Sequence, residues 1–499
     1  MTSVELYNSY REQMRRIADI KYASAVLQWD QETYLPAKSA AIRGQQIATL
    51  SELAHQLFTD EKLGATLNEL TEKSQLSETE KKNISLTNED YTKNKKYSSA
   101  FVRKMSEQVN KTFHAWIEAR KQDSFSVFEK DLSALIELKK EETQILGFEQ
   151  HPYNALLNEF EKGCSVTLLD KSFTELLPSL KDLLDKIMSK EQVDNSFLKQ
   201  HFPKQEQWNW GIHLINKLNF DFNAGRQDIS EHPFTINFSS TDVRITTRVD
   251  ENNFANMTWS CIHETGHALY EQGLLEIQYG LPLGEAASLS IHESQSRLWE
   301  NNVGRSLPFW RYFLPELQQY FPKQLGNVSL HTFYKGINRV EPSLIRTEAD
   351  ELTYHFHVYI RYELEKRLIE GSLKASEIPS FWNDHYKKYL GVSSDSDKKG
   401  CLQDIHWSHG SFGYFPTYSL GSFYAAQFYS FAKTKINNLD TQLEHGKTDE
   451  LLSWLRLNVH QHGRMYTSEE LCKKITGKSL DINEFINYLL HKYGRIYNL

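Results

Sequence analysis

Just past the middle of the 499-residue chain stands the segment Cys261-Ile262-His263-Glu264-Thr265-Gly266-His267-Ala268-Leu269-Tyr270. Two histidines four residues apart lie one turn apart on the same face of a helix, so both imidazoles reach one metal ion. Glu264 lies on the same turn, where its carboxylate can take a proton from a water molecule held by that metal. This is the arrangement that a zinc peptidase needs.

The residues around this segment favour a buried helix over a chance match. A chain with 19 histidines in 499 residues contains such a pattern by chance with odds of roughly one in twenty. Here, however, the flanks are apolar, through Ala255, Met257, Trp259, Ile262 and Leu269. We predict a helix over about 254–272 that ends near Gly273. Cys261 is expected in the core, because two positions along a helix turn it away from His263.

Composition and charge limit the class of protein. Apolar residues make up 39% and aromatic residues 12% of the chain, enough for a large core. The net charge of −8 is spread through mixed segments, so neither nucleic acid nor a membrane is expected as a partner. The N-terminus has no basic or apolar run, and the four cysteines are far apart. These features predict a cytoplasmic protein with reduced thiols.

Most of the chain has the pattern of α-helices. Thr2-x-x-Glu5 is a capping box, and Tyr7, Tyr10, Met14 and Ile17 follow with the spacing of an amphipathic helix. Further helices are predicted to end at Gly147 and at Gly371, and to begin after a second capping box, Thr467-x-x-Glu470. We predict helices over about 284–303 and 342–370 as well, the latter with Arg346 and Asp350 on one face.

Residues 232–249 differ in pattern from the helical segments. Phe234, Ile236 and Phe238 alternate with polar residues, as do Val243 and Ile245 after a polar turn. This alternation predicts a β-hairpin shortly before the metal-binding helix. The free edge of this hairpin would pair with an extended peptide substrate. Alternatively, the hairpin would only brace the helix. The residues do not decide between these two roles.

A catalytic zinc ion usually takes a third protein ligand. A metzincin would have Gly and His where this chain has Tyr270 and Gly273, which excludes that class. A carboxylate on another helix is therefore expected. Spacing alone leaves four candidates open: Glu276, Glu285, Glu293 and Glu300.

From end to end, the chain resembles the carboxypeptidase Taq family of metal-dependent carboxypeptidases. The resemblance rests on ordered motifs: His-Pro-Phe at 232–234, Asp-x-Arg-x-Thr at 242–246, His-Glu-x-Gly-His at 263–267, His-Glu-Ser-Gln at 292–295, Ile-Arg-x-x-Ala-Asp at 345–350, and Gly-x-x-Gln-Asp-x-His-Trp at 400–407 followed by Gly-Tyr-Phe-Pro-x-Tyr. One such motif is a weak signal, whereas the ordered set is highly specific.

The resemblance implies a metal site and a fold. His263, His267 and Glu293 would bind one zinc ion per chain, which cobalt can replace, and Glu264 would be the general base. The implied fold is mainly α, a two-lobed helical body of the neurolysin-like zincin type with a deep central groove and a small β-hairpin or sheet. Residues 1–499 would form one catalytic unit, with a helical part or lid at about 1–230, the site at 231–430 and C-terminal helices at 431–499. A homodimer is expected.

The other motifs supply candidates for the remaining roles in the reaction. The oxyanion of the tetrahedral intermediate needs a donor, for which Tyr414 and His406 are first choices. A free C-terminal carboxylate needs an arginine, for which Arg346 is the first choice and Arg244 the second. The alternative for each arginine is an internal ion pair, for example with Asp350 or Asp242. Two further substrate-binding candidates are Tyr418 and His232.

The expected function is metal-dependent removal of single amino acids, with broad specificity, from peptides with a free C-terminus. An oligoendopeptidase of similar fold is the nearest alternative, and a carboxylate-binding arginine distinguishes the two. A non-catalytic peptide-binding protein is a further alternative. It predicts the loss of a metal ligand or of the base, yet all four residues are present.

Overall fold

The computed structural model describes residues 2–499, most of which lie in α-helices. The first nine helices are α1 (Ser3–Thr33), α2 (Ala40–Phe58), α3 (Glu61–Thr71), α4 (Glu78–Lys95), α5 (Ser99–Gln122), α6 (Ser126–Leu146), α7 (Tyr153–Phe160), α8 (Val166–Met188) and α9 (Lys204–Lys217). Three strands follow: β1 (Gly225–Ile229), β2 (Thr235–Ser239) and β3 (Asp242–Thr247). The other helices are α10 (Phe254–Glu271), α11 (Leu289–Arg297), α12 (Leu307–Tyr320), α13 (Pro322–Leu325), α14 (Leu330–Ile337), α15 (Tyr354–Glu370), α16 (Ile378–Leu390), α17 (Pro416–Lys435), α18 (Leu439–Leu443), α19 (Asp449–Asn458), α20 (Ser468–Thr476) and α21 (Ile482–Tyr497). The predicted mainly α class is confirmed.

Two compact units divide the described chain. Unit 1 contains the residues up to Lys95, together with Asp194–Ile337 and Phe428–Ser479. Unit 2 contains Lys96–Val193, Asn338–Gln427 and Leu480–Leu499. Each unit is thus assembled from three separate stretches of sequence. Among residues 2–499, no helix combines the length and the apolar character that a membrane crossing requires.

Unit 1 begins with the capping box predicted for α1. The Thr2 side chain accepts from the Glu5 N–H, and the Glu5 carboxylate accepts from the Thr2 N–H. The predicted apolar stripe is buried, and Tyr10 within it is fully covered. Its hydroxyl lies 2.7 Å from that of Thr87 on α4. The stripe therefore anchors α1 to the core of unit 1.

The three strands form a sheet in the order β1-β3-β2. β2 and β3 are the predicted hairpin, antiparallel with Thr235 opposite Ile245. β1 pairs in parallel with β3, with Gly225 opposite Val243. Sequence analysis did not predict β1, because its residues, Gly-Arg-Gln-Asp-Ile, lack the alternation of the hairpin strands. β2 lies at the edge of the sheet.

Helix α10 packs against this sheet. The hydroxyl of Thr247 on β3 lies 2.8 Å from that of Ser260 on α10. Cys261 is buried, with its Sγ 3.6 Å from the Gln227 side chain of β1. The prediction that Cys261 is a core residue is therefore confirmed, and the opposite face of α10 remains for the histidines.

Unit 2 is built around α15, which is buried along most of its length. Glu365 on this helix accepts hydrogen bonds from the Tyr153 hydroxyl at 2.5 Å, the Trp407 Nε1 at 2.8 Å and the Gly413 N–H at 2.8 Å. One buried carboxylate thus connects α7 to the segment between α16 and α17.

Two helix predictions need correction. The helix expected over 342–370 begins at Tyr354, and only a single 3₁₀ turn, Arg346–Glu348, precedes it. The Asp350 carboxylate accepts from the backbone N–H groups of Leu352 and Thr353. Such local side-chain bonds compete with helical hydrogen bonds, so Arg346 and Asp350 do not share a helical face. The helix expected over 284–303 begins at Leu289, where the Ser288 side chain caps it.

Candidate metal centre and substrate-binding residues

The close approach of α10 to α11 brings the predicted metal ligands together. A Cβ on Gly266 would lie 2.6 Å from the Ser296 Cα and 2.8 Å from the Gln295 carbonyl oxygen. A larger residue at position 266 would therefore push the two helices apart. Glycine at this position lets Glu293 on α11 approach the histidines of α10.

The candidate metal centre consists of His263, His267 and Glu293. One ligand atom of each residue lies within 4.8 Å of the others. The Glu293 Oε2 is 3.7 Å from the His263 Nε2 and 3.5 Å from the His267 Nε2. Of the four carboxylates that spacing left open, Glu293 is the one that joins the two histidines.

Further polar contacts hold two of these three side chains, His263 and Glu293. The Glu300 Oε2 lies 2.9 Å from the His263 Nδ1. The Arg297 Nε donates to the Glu293 Oε1 at 2.6 Å, and its Nη1 donates to Glu300 at 3.0 Å. The Ser296 hydroxyl donates to the Glu293 Oε2 at 3.1 Å. Glu300 itself lies in a π-helical segment, Leu298–Val303, that continues α11.

The surroundings of Glu293 and His267 favour the protonation states that bind a metal ion. Burial raises the pKa of Glu293, but Arg297 and His263 lower it further, so that its net pKa falls below the ordinary value and the carboxylate is ionised. Burial, together with His292, lowers the pKa of His267 to about 3. A neutral imidazole and an ionised carboxylate are the forms that coordinate a metal.

These residues fit a catalytic zinc ion. Donor atoms that each lie about 2 Å from a tetrahedral ion are roughly 3.4 Å apart, close to the spacings of Glu293 from the two histidines. Two histidines and one glutamate form a three-ligand set that leaves the fourth position open for water or substrate. The contact from Glu300 to the far nitrogen of His263 is the kind of outer contact that orients a metal-binding histidine.

Glu264 is buried beside this cluster and is held by the sheet. The Thr235 hydroxyl on β2 donates to the Glu264 Oε2 at 2.6 Å. Burial raises the pKa of Glu264 above its ordinary value, although His263 and Thr235 partly oppose this. A raised pKa makes a carboxylate a better proton acceptor. Thr235 therefore also connects β2 to the face of α10 that carries the ligands.

Two predicted substrate-binding residues lie in unit 1. Arg244 on β3 forms an ion pair with Asp242 at 2.9 Å, and its guanidinium lies 4.4 Å from the centre of the Trp29 ring. The internal ion pair considered for Arg244 is therefore present. His232 is exposed, in the segment that precedes β2.

Four other predicted residues lie together in unit 2. The His406 Nε2 is 3.2 Å from the Tyr418 hydroxyl, and the rings of Tyr414 and Tyr418 are 5.3 Å apart. The Arg346 guanidinium lies 4.9 Å from the centre of the Tyr418 ring. The internal ion pair considered for Arg346 is also present, but its partner is Asp404, at 2.9 Å, and not Asp350.

Some residues of the site were missed by sequence analysis. Thr235 carried no distinguishing signal, and Asp404, which lies in the motif at 400–407, was given no role, because their contacts form between segments distant in sequence. Glu300 was considered only as a metal ligand, whereas the structure shows it bonded to the outer nitrogen of His263. Arg297 lies four residues after Glu293, a spacing that indicates a helical ion pair and could have been used.

Almost the whole chain matches one family of known proteins: residues 9–493 fit the family described as carboxypeptidase Taq (M32) metallopeptidase. The chain belongs to this M32 family. Carboxypeptidase 1 of Bacillus subtilis is 38% identical over 97% of both chains. Thermostable carboxypeptidase 1 of Thermus thermophilus is 38% identical over the full length of both. The crystal structure of the M32 carboxypeptidase from Deinococcus radiodurans is 36% identical, covers 99% of this chain and 100% of that one, and gives a TM-score of 0.97.

Membership in the M32 family establishes the reaction class. This M32 chain is a metallocarboxypeptidase, a peptide hydrolase that requires a metal ion. The expected carboxypeptidase function is confirmed, and the helical fold is shared with M32 structures. The His-His-Glu cluster offers three ligand atoms close enough together to hold such an ion.

Proposed function

We propose that this metallocarboxypeptidase uses one zinc ion per chain, bound by His263, His267 and Glu293. The observation that carries the proposal is the meeting of these three ligand atoms within 4.8 Å of one another, beside the buried Glu264. A bound zinc ion would polarise a water molecule and the scissile carbonyl group. Cobalt would support the same chemistry.

Glu264 is the general base in this proposal. Its carboxylate accepts a proton from the water that attacks the scissile carbonyl carbon, and then passes the proton to the leaving amine. The hydrogen bond from Thr235 holds the carboxylate in one orientation. Burial keeps bulk water away from the carboxylate and strengthens its interaction with nearby charges.

Residues of the other motifs bind the substrate. Tyr414 and His406 donate hydrogen bonds to the oxyanion, and Tyr418 supports His406 through its hydroxyl. Arg346 binds the terminal carboxylate, since a guanidinium matches a carboxylate with two parallel hydrogen bonds. Arg244 is the second candidate for that role, or else limits how far the substrate extends. His232 is a further substrate contact.

The substrates are peptides with a free C-terminus, cleaved one residue at a time with broad specificity in the cytoplasm. The enzyme acts as a homodimer. Light scattering coupled to gel filtration tests the assembly: the proposal predicts a mass about twice the 58.3 kDa of one chain. A mass equal to that of one chain at working concentration would contradict the dimer.

The test of substrate and reaction uses an N-blocked peptide of about eight residues, incubated with zinc-loaded enzyme and followed by mass over time. We expect single residues to leave stepwise from the free C-terminus. A C-terminally amidated copy of the peptide should resist cleavage, because it lacks the charge that Arg346 binds. Internal fragments, or equal cleavage of the amide, would instead indicate an oligoendopeptidase.

A further inference from the structure

Unit 2 contains a buried cluster in which two arginines share one carboxylate. Arg346 is 6% exposed and Arg361 is fully buried. The Asp404 Oδ1 lies 2.9 Å from the Arg346 Nη2, and its Oδ2 lies 2.6 Å from the Arg361 Nη2. Among residues 2–499, Asp404 is the one carboxylate within ion-pair distance of either guanidinium. The cluster therefore has an excess of one positive charge in a buried site, where unbalanced charge is costly.

The N–H donors of Arg361 are all used in contacts within the protein, so none is left for a ligand. Its Nε donates to Asp404 at 2.6 Å, its Nη1 to the His357 carbonyl and the Tyr386 hydroxyl, and its Nη2 to the Gln403 Oε1 at 2.9 Å. The guanidinium lies 4.4 Å from the centre of the Trp382 ring. A fully buried arginine with this many contacts cannot touch a substrate, so its effect must pass through its neighbours.

Those neighbours hold Arg346 at two points. Asp404, fixed on one side by Arg361, accepts from the Arg346 Nε at 2.9 Å on the other. The Gln403 Oε1, which also accepts from Arg361, takes the backbone N–H of Arg346 at 2.8 Å. The Arg346 Nη1 donates to the Tyr354 hydroxyl at 3.0 Å. An arginine has five N–H donors, so these contacts leave part of the guanidinium available.

Without Arg361, Asp404 would neutralise Arg346 one to one. A neutral pair attracts a second carboxylate weakly, whereas the observed cluster keeps one net positive charge. His406, beside the cluster, adds no charge: burial and then Arg346 lower its pKa to about 3. The excess charge therefore comes from the arginines.

We propose that Arg361 is a positioning residue for the terminal carboxylate of the substrate. By fixing Asp404 and Gln403, it sets the orientation of Arg346 and leaves the cluster with the positive charge that the carboxylate balances. The inference rests on the proposed role of Arg346 in carboxylate binding.

The test compares steady-state kinetics of zinc-loaded Arg361→Lys and wild type on an N-blocked peptide with a free C-terminus. The variant keeps the charge but loses the planar fork that holds Asp404 and Gln403 together. We expect KM to rise roughly 10-fold or more, as for a disturbed charge-assisted contact, with a smaller change in kcat. The zinc content should be unchanged. The matched control is Arg367→Lys on the same helix, whose side chain is 44% exposed and pairs with Glu363; it should keep the wild-type KM.

Double variants separate this inference from the proposed function. Arg346→Gln should raise KM, and adding Arg361→Lys to it should raise KM no further. An unchanged KM in Arg346→Gln would overturn the role of Arg346 and, with it, the inference. A raised KM in Arg346→Gln with a further, multiplicative rise in the double variant would overturn only the role of Arg361, as would a folded Arg361→Lys enzyme with wild-type KM.

If Arg361→Lys does not fold, Tyr386→Phe provides the same comparison. It removes one acceptor of the Arg361 Nη1, at 3.2 Å. We expect a rise in KM of roughly 2- to 5-fold, in keeping with one neutral hydrogen bond. The rise should again disappear in the Arg346→Gln background, and its persistence there would count against the inference.

Discussion

At the residue scale, His263 is held at one ring nitrogen, and its other ring nitrogen faces Glu293. Its Nε2 faces Glu293 at 3.7 Å, while its Nδ1 contacts Glu300 at 2.9 Å. Glu300 is itself fixed by Arg297 at 3.0 Å. Such an outer carboxylate selects the tautomer of the histidine and makes the coordinating nitrogen more basic. Zinc affinity should therefore depend on a residue that is not itself a ligand.

We predict that Glu300→Gln weakens zinc binding by about 10- to 100-fold, because the amide is a weaker acceptor for the His263 ring. Competition with a zinc chelator measures the dissociation constant. The matched control is Glu316→Gln, which makes the same change in another histidine–glutamate contact, where the Glu316 Oε2 lies 2.8 Å from the His213 Nε2. Equal zinc affinity in wild type and Glu300→Gln would contradict the role of Glu300.

The spacing of residues in the sequence could identify parts of the site only where those residues lie on the same helix or strand. His263, Glu264 and His267 lie on one helix, so their spacing alone predicts a common face. Glu293 lies on another helix, and its approach depends on the packing of α10 against α11, which spacing does not encode. The family resemblance implied Glu293 as the third ligand, and the structure brings it to the two histidines.

At the element scale, the geometry of the metal centre depends on how closely α10 and α11 pack. Gly266 lies at their contact, where a Cβ would meet the backbone of Ser296 at 2.6 Å. Backbone atoms cannot rotate away as a flexible side chain can, so a methyl group would have to separate the helices. That separation would move Glu293 away from the histidines.

We predict that Gly266→Ala lowers the free energy of unfolding by at least about 2 kcal/mol and weakens zinc binding. Gly494→Ala is the matched control, since a Cβ at this position on α21 meets nothing within 4 Å. The control should be neutral or stabilising by up to about 1 kcal/mol. Denaturant unfolding and zinc titration measure the two effects. Wild-type stability and zinc affinity in Gly266→Ala would contradict this account of the helix contact.

Elements with strong local signals were predicted well, and those governed by tertiary contacts were not. The capping box of α1, the hairpin strands and α10 follow from cap residues and periodicity. β1 was not predicted, because its residues lack an alternating pattern and form a strand only through pairing with β3. The helix before Tyr354 was predicted wrongly, because Asp350 takes up backbone donors with its side chain.

At the scale of the whole molecule, stability should vary with pH through one buried carboxyl group in unit 2. Burial raises the pKa of Glu365 from 4.5 to about 7. The folded protein therefore keeps this proton over a range in which the unfolded chain has lost it. By linkage, the contribution of the group to stability is complete below pH 4.5 and is lost as the pH rises to about 7.

We predict that Glu365→Gln flattens this dependence, because the amide has no proton to lose. The difference in unfolding free energy between wild type and variant should change by about 3 kcal/mol between pH 4.5 and 7.5, with wild type relatively more stable at the acidic end. Glu137→Gln, at an exposed site on α6, is the control and should follow wild type. Parallel curves for wild type and Glu365→Gln would contradict the prediction.

The most direct test of the central claim is a paired measurement of zinc binding and peptide hydrolysis in Glu264→Gln. We predict that the variant binds one zinc ion per chain with nearly wild-type affinity, since Glu264 is not one of the three ligands. Hydrolysis of a peptide with a free C-terminus should fall by about 10²- to 10⁴-fold, the contribution of a general base. Loss of zinc would show that Glu264 belongs to the ligand set. Hydrolysis near the wild-type rate would show that another residue is the base.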